Sequence, residues 1–171
     1  MLNSEQTRWY KDEYEKVMNQ GLVGKMWRRI HHQLDKPFLH LTNLKIVEVG
    51  AGHGQHFNLS KLNVERYVEV DLQQLNRVNG KEIGIVERRV EDAERLKSVN
   101  DDEFDLLIAT CLLPHLQDPE LALNNFRRVV RNAGALSLYV PCEPGIVLRL
   151  ARTLSTKRKR KKLGFFDHTL H

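Results

Sequence analysis

The sequence predicts an α/β fold: a doubly wound, mostly parallel sheet with helices on both faces. Five short runs typical of β-strands alternate with helix-like stretches along residues 44–140. A glycine-rich turn follows the first run, where a doubly wound sheet usually contacts its ligand. The pair Asp118-Pro119 then marks the start of the last helix between strands.

The predicted elements begin with two amphipathic helices between residues 4 and 34. Apolar residues recur there at three- and four-residue steps, Gly21 and Gly24 interrupt the pattern, and Pro37 ends the second helix. The strands are predicted at 44–49, 66–70, 84–90, 104–109 and 135–140, with helices near 54–62, 72–79 and 118–132. Gly134 is expected to end the last helix in the left-handed conformation.

These elements divide the chain into three predicted parts: an N-terminal helical lid (1–43), a ligand-binding core (44–142) and a C-terminal basic helical segment (143–171). Eight cations and no acid lie within 149–162, so the excess of positive charge in the chain, +5 in all, comes from this segment. Such a cluster can attract nucleic acid or an anionic membrane. A solvated helical face is the commoner explanation, so nucleic-acid binding is not favoured.

Composition indicates a cytoplasmic globular protein. Its 171 residues are 41% hydrophobic and 29% charged, with no apolar run long enough for a membrane span and no secretory signal. Cys111 and Cys142 lie outside any CxxC spacing, so we expect reduced thiols and no zinc site.

The stretch VEVGAGHGQH (47–56) places three glycines at every second position. Bare backbone of this density predicts close approach by a ligand. In the dinucleotide fingerprint GxGxxG the third glycine would fall at Gln55, and the phosphate loop GxxxxGK(S/T) is absent. An NAD-dependent oxidoreductase is therefore the weakest alternative.

VEVGAGHG resembles the first motif of the class I S-adenosylmethionine-dependent methyltransferases, written (D/E)xGxGxG. The resemblance implies a Rossmann-like fold in which Glu48 helps to place the amino end of the cofactor. It also implies that the backbone of the turn lies against the methionine and ribose parts. The residues concerned are Gly50, Ala51, Gly52 and Gly54.

Two further segments extend the resemblance. Asp71 ends YVEVD and would hold the ribose hydroxyls, with Leu72 beside it. RRVEDAERL resembles the third-strand segment of the family, in which Asp92, or less favourably Glu91, would bond the adenine amino group and Ala93 would face the ring.

The segment beginning FDLLIATCLLPH resembles the family's fourth strand and the element after it. It implies that Thr110, Cys111 and Leu112 lie against the cofactor at the carboxyl end of that strand. Asn132-Ala133-Gly134 replaces the usual Pro-Gly-Gly, and Pro114 interrupts the Leu-x-His element. These departures bear on the acceptor side of the site.

A general base is needed only if the acceptor arrives protonated, and His115 is the best candidate. His53 is expected to face solvent and His56 to begin the next helix; their spacing does not indicate a metal site. Tyr10 and Tyr14 are candidates for lining the cleft from the lid, since aromatic faces attract sulfonium.

The resemblance implies S-adenosylmethionine as cofactor and methyl transfer to a small-molecule acceptor, because the segment after the fifth strand loosely resembles small-molecule methyltransferases. No alternating run follows that could supply the strand pair completing a seven-stranded sheet. The alternative is a cofactor-binding module, catalytically incomplete alone, that docks on nucleic acid or a protein partner through its basic segment. An uncovered fifth strand also leaves self-association open.

Overall fold

The computed structural model describes residues 20–73 and 86–141. The chain divides into two compact units, Met1–Val140 and Pro141–His171, and the description below concerns the first. The predicted helix at 72–79 falls almost wholly outside the described residues.

The described elements run as a helix, a strand, a second helix, three strands, a third helix and a final strand. In chain order they are α1 (Gly21–Asp35), β1 (Leu44–Val49), α2 (Gln55–Leu59), β2 (Val64–Asp71), β3 (Val86–Val90), β4 (Phe104–Thr110), α3 (Pro119–Val129) and β5 (Val130–Tyr139). Short 3-10 turns at Lys36–Phe38 and Leu113–His115 follow α1 and β4. All five predicted strands are present.

The strands form one parallel sheet in the order β3-β2-β1-β4-β5. This order confirms the doubly wound α/β prediction, because the chain reverses direction across the sheet after β3. Glu48 of β1 lies opposite Glu69 of β2, which in turn lies opposite Arg88 of β3. Three charged residues therefore form a row across neighbouring strands.

Alternation along the strands gives the sheet two different faces. One face packs on the buried stripe of α3, formed by Ala122, Phe126 and Val129, and its core is apolar. The opposite face packs on Leu34 of α1 and Phe57 of α2. We call these the α3 face and the α1 face.

Gly134 does not end a helix, which corrects the prediction. α3 ends at Val129, Val130 is already extended, and Gly134 lies inside β5 without a positive φ. A Cβ there would come 2.6 Å from both the Asp105 carbonyl oxygen and the Val130 side chain. The glycine is needed because β5 approaches β4 closely where their register shifts.

Among the residues the structure covers, no helix is both long and apolar enough to cross a membrane.

Candidate cofactor site

The site lies at the carboxyl edge of the sheet. Gly50 follows β1, Asp71 ends β2, Asp92 follows β3 and Thr110 ends β4. Since parallel strands end at the same edge, residues spread over 60 positions of sequence reach one region of the surface.

The glycine turn is built from left-handed residues. Positive φ angles occur at Gly50 (76°), Gly52 (55°) and Gly54 (73°). The amides of Gly50 and Ala51 both donate to the Val70 carbonyl, at 2.8 and 3.2 Å, which ties the turn to β2. A Cβ at Gly50 would lie 3.1 Å from Leu112, so the turn also contacts the segment after β4. Glycine is required by conformation and by space.

Asp71 holds the turn as well as facing the edge. Its Oδ2 accepts the Gly52 amide at 2.8 Å, and its Oδ1 accepts the Gln73 amide at 2.9 Å. Each carboxylate oxygen can accept two hydrogen bonds, so capacity remains for a ligand hydroxyl. Leu72 beside it is 70% exposed.

Glu91 and Asp92, the two acids considered for the adenine amino group, differ in their hydrogen bonds. Glu91 accepts the amide and hydroxyl of Ser98, so its carboxylate is used in a local turn. Asp92 accepts only the Glu94 amide among the hydrogen bonds described for its side chain, which is 42% exposed. Ala93 is buried in the core of the α3 face. Asp92 remains the better candidate.

The end of β4 leaves a polar atom without a partner. The buried Thr110 hydroxyl has no hydrogen-bond partner among the described residues. Cys111 adopts a φ of 57° and is fixed there by its amide, which donates to the Tyr139 carbonyl at 2.8 Å. Burial raises the pKa of the Cys111 thiol, so the thiolate is disfavoured.

The histidines near the site differ in exposure. His115 is exposed in the 3-10 turn after β4, with its amide donating to the Leu112 carbonyl. His53 is 6% exposed, so the prediction that it faces solvent is wrong. The left-handed glycines on either side curl the turn and carry the intervening side chain inward. α2 begins at Gln55, one residue before His56.

Several predicted residues lie outside the part of the chain that the structure describes: Tyr10, Tyr14, Cys142 and the basic segment 149–162. The lid and docking roles assigned to them stay predictions. Within residues 20–73 and 86–141, no group of three His, Cys, Asp or Glu side chains could hold a metal ion.

A buried polar cluster beneath the turn is absent from the sequence predictions. His56 Nε2 lies 3.0 Å from Asp35 Oδ1, and His56 Nδ1 lies 2.8 Å from His31 Nδ1. Burial works against a charged His56, but the hydrogen bond and charge of Asp35, with the charge of Glu48, raise its pKa. Burial and the His56 charge lower the pKa of His31 to about 3. These opposite shifts favour His56 as the donor and a neutral His31 as the acceptor between their Nδ1 atoms.

Glu48 is the second part of this cluster. It is 3% exposed and accepts the Tyr67 hydroxyl at 2.8 Å. Burial raises its pKa to about 7, against the opposing influence of His56. Burial and the Glu48 charge in turn raise the pKa of Tyr67 well above its ordinary value, which keeps the phenol a donor. Burial therefore favours the neutral form of Glu48 to a higher pH than for an exposed glutamate.

Helix α1 contacts α2, the helix that follows the turn, through Trp27 and His31, two residues that the sequence analysis did not assign. Trp27 Nε1 donates to Gln55 Oε1 at 2.6 Å, and the Trp27 ring meets His31 edge-on at 5.0 Å. A signal for the cluster exists in the sequence, because VEV occurs in both β1 and β2. An acid within a doubly covered strand needs buried partners.

Comparison with known proteins agrees with this geometry. A family profile described as methyltransferase domain matches residues 47–138, more than half of the chain. No curated protein has a matching sequence.

Three solved structures illustrate the likeness of fold. A chain from the complex between the Haloferax volcanii Trm112 methyltransferase activator and a methyltransferase has a TM-score of 0.63 and 17% identity, covering 80% of this chain and 60% of that one. The [4+2]-cyclase SpnF has a TM-score of 0.58 and 18% identity, and the match covers 70% of this chain and 47% of that one. The third structure is Haemonchus contortus phosphoethanolamine N-methyltransferase 1 in complex with phosphoethanolamine and S-adenosylhomocysteine. Its TM-score is 0.66 and its identity 20%, and the match covers 81% of this chain and 31% of that one.

This chain thus spans between about a third and three fifths of the length of those structures. The likeness shows the fold, and the profile match shows the family. The chain belongs to the methyltransferase-domain family of class I S-adenosylmethionine-dependent enzymes.

Proposed function

We propose that this protein binds S-adenosylmethionine at the carboxyl edge of its sheet and transfers the methyl group to a small-molecule acceptor. The observation that carries the proposal is the left-handed glycine turn, held against Asp71 and packed on Leu112. This arrangement leaves bare backbone beside a carboxylate, and the resemblance assigns those two features to the methionine and ribose parts of the cofactor.

The residues present fit such a ligand. Asp71 retains acceptor capacity for ribose hydroxyls, Asp92 is partly exposed for the adenine amino group, and the unpartnered Thr110 hydroxyl offers one more polar group. A buried acid, Glu48, lies at the end of β1 below the turn, where a cationic ligand would favour its ionised form.

The chemistry is a displacement at a carbon that the bound cofactor activates through its sulfonium. The protein then contributes mainly position and orientation. His115 is exposed after β4 and could accept a proton from a protonated acceptor. Because SpnF shares the fold and is a cyclase, transfer must be tested separately from binding.

Calorimetry with S-adenosylhomocysteine and with NAD tests the binding step. We expect the former alone to bind, and Asp71→Ala to weaken it by more than about 1 kcal/mol, the scale of a hydrogen bond to a charged group. Asp101→Asn, a change of a surface acid paired with Arg128, is the control and should bind as the wild type does. NAD binding without S-adenosylhomocysteine binding would contradict the proposal.

Transfer is tested by radiolabelled S-adenosylmethionine with a cell extract divided by ultrafiltration. We expect label to enter a low-molecular-weight product in the filtrate that chromatography separates from unreacted S-adenosylmethionine. Label entering only retained nucleic acid or protein would contradict the small-molecule acceptor while leaving cofactor binding intact.

A further inference from the structure

Gly52, the middle glycine of the turn, is held by both of its backbone groups. Its amide donates to Asp71 Oδ2 at 2.8 Å, and its carbonyl accepts a hydrogen bond from Arg88 Nη2. Two charged side chains from different strands therefore fix the planes of the peptide groups before and after this residue. A glycine at a φ of 55° has many other conformations available, so this fixation removes real freedom.

Arg88 reaches the turn from β3, two strands away from β1. Its Nε donates to Glu69 Oε2 at 3.0 Å, directly across the strand pair. Glu69 is completely buried, and the Arg88 side chain is 16% exposed. The guanidinium is planar, so anchoring its Nε on Glu69 also sets the direction of the Nη2 that meets Gly52.

The geometry of Arg88 indicates that this residue orients the glycine turn in addition to neutralising a buried acid. A buried carboxylate needs a cationic partner, but a lysine in position 88 would satisfy that need with a single ammonium group. The guanidinium of Arg88 makes both contacts at once, because its Nε donates to Glu69 and its Nη2 donates to the Gly52 carbonyl. Asp71, on the opposite side of Gly52, completes the clamp.

We propose that Arg88 and Glu69 form a positioning pair that sets the Gly52 peptide for cofactor binding; this inference rests on the proposed function. Arg88 acts through the Gly52 carbonyl. Without it the turn samples other peptide orientations, and the apparent affinity falls by the fraction of molecules left in the competent one.

The test compares Arg88→Ala and Arg88→Lys with Arg89→Ala as a matched control. Arg89 is the next residue of β3, but its side chain pairs with Glu87 and the Ser98 carbonyl. We expect Arg88→Ala to bind S-adenosylhomocysteine about tenfold more weakly. Arg88→Lys should be intermediate, and Arg89→Ala close to wild type.

Two readouts distinguish positioning from general loss of structure. Millimolar guanidinium ion should restore much of the affinity of Arg88→Ala, while Asp71→Ala should show no such recovery. The amide ¹⁵N shift of His53, which follows the Gly52 carbonyl, should move in Arg88→Ala and return with guanidinium.

If Arg88→Ala does not fold, the same comparison is made on Arg88→Lys, which keeps the charge opposite Glu69. Affinity within twofold of wild type in the folded variant, with an unchanged His53 signal, would overturn the inference. Failure of the wild type to bind would instead reject the proposed function, and the His53 signal would still report whether Arg88 sets the turn.

Discussion

The two faces of the sheet differ in the side chains that they bury. The α3 face is filled by apolar side chains from β1, β2, β4 and α3. The α1 face mixes Ile46 and Ile108 with Glu48, Tyr67 and Glu69. Alternation along the same strands produces both, so the difference lies in which residues occupy alternate positions.

The comparison shows where the molecule carries costly groups. Buried charges contribute little net stability even when paired, because desolvation opposes their attraction. On the α1 face the buried titratable groups include Glu48, His56 and Asp35, and Glu48 and His56 lie on either side of the glycine turn in sequence. We infer that the α3 face supplies stability, while the α1 face shapes the site.

The largest expected effect tests the apolar face. Phe126 is fully buried in α3, so Phe126→Ala should lower the free energy of unfolding by about 3–5 kcal/mol. The loss should be nearly the same at acidic and mildly alkaline pH, because the residues of the core cluster that contains Phe126 are apolar.

Urea unfolding measures this loss, with Leu121→Ala as the control. Leu121 lies in the same helix and is 44% exposed, so its removal should cost less than about 0.5 kcal/mol. Equal losses for the two variants would show that α3 is not packed as described.

The next effect sharpens the contrast through pH. Burial raises the pKa of Glu48 from 4.5 to about 7, so the folded state holds this proton more tightly than the unfolded chain. The resulting stabilisation is complete below the unfolded pKa and is lost as the pH rises through about 7, with a change of up to about 3 kcal/mol.

Glu48→Gln removes this titration and keeps an acceptor for the Tyr67 hydroxyl. Its stability relative to wild type should therefore increase as the pH rises from about 5 to about 8. Glu65→Gln in the same strand as Tyr67, with a half-exposed side chain, should show no such trend. A pH-independent difference for Glu48→Gln would mean that Glu48 titrates normally.

The smallest effect concerns the start of α3. Asp118 Oδ1 accepts the Leu121 amide at 2.9 Å, so Asp118→Ala should cost about 1 kcal/mol of unfolding free energy. Asp118→Asn keeps an N-cap acceptor and should lose much less. A thermal or urea melt in which both variants match the wild type would remove the cap from the account.

Local pattern was enough to predict much of the fold. The five strands lie in short runs typical of β-strands, and the N-cap at Asp118 depends on near neighbours in sequence. The prediction for Gly134 is wrong because a glycine after a helical pattern can either end the helix or allow a close approach between strands. Only the distance to Asp105 on the neighbouring strand distinguishes these two cases.

The site was predicted less completely for the same physical reason. Motif spacing led to Gly50, Asp71 and Thr110, which the topology brings to one edge. Arg88 acts across two strands, and His31 meets His56 only through the packing of α1 on α2. These contacts depend on registers and helix positions that a periodic pattern leaves undetermined.

The hydrogen bond from Trp27 to Gln55 has an evolutionary consequence. Gln55 is the residue that departs from the dinucleotide fingerprint, and a third glycine there would leave the indole donor without this acceptor. Positions 27 and 55 should consequently covary in related sequences, so that a small residue at 55 accompanies loss of the tryptophan. The identity of residue 55 would then be inherited together with that of the α1 residue that contacts it.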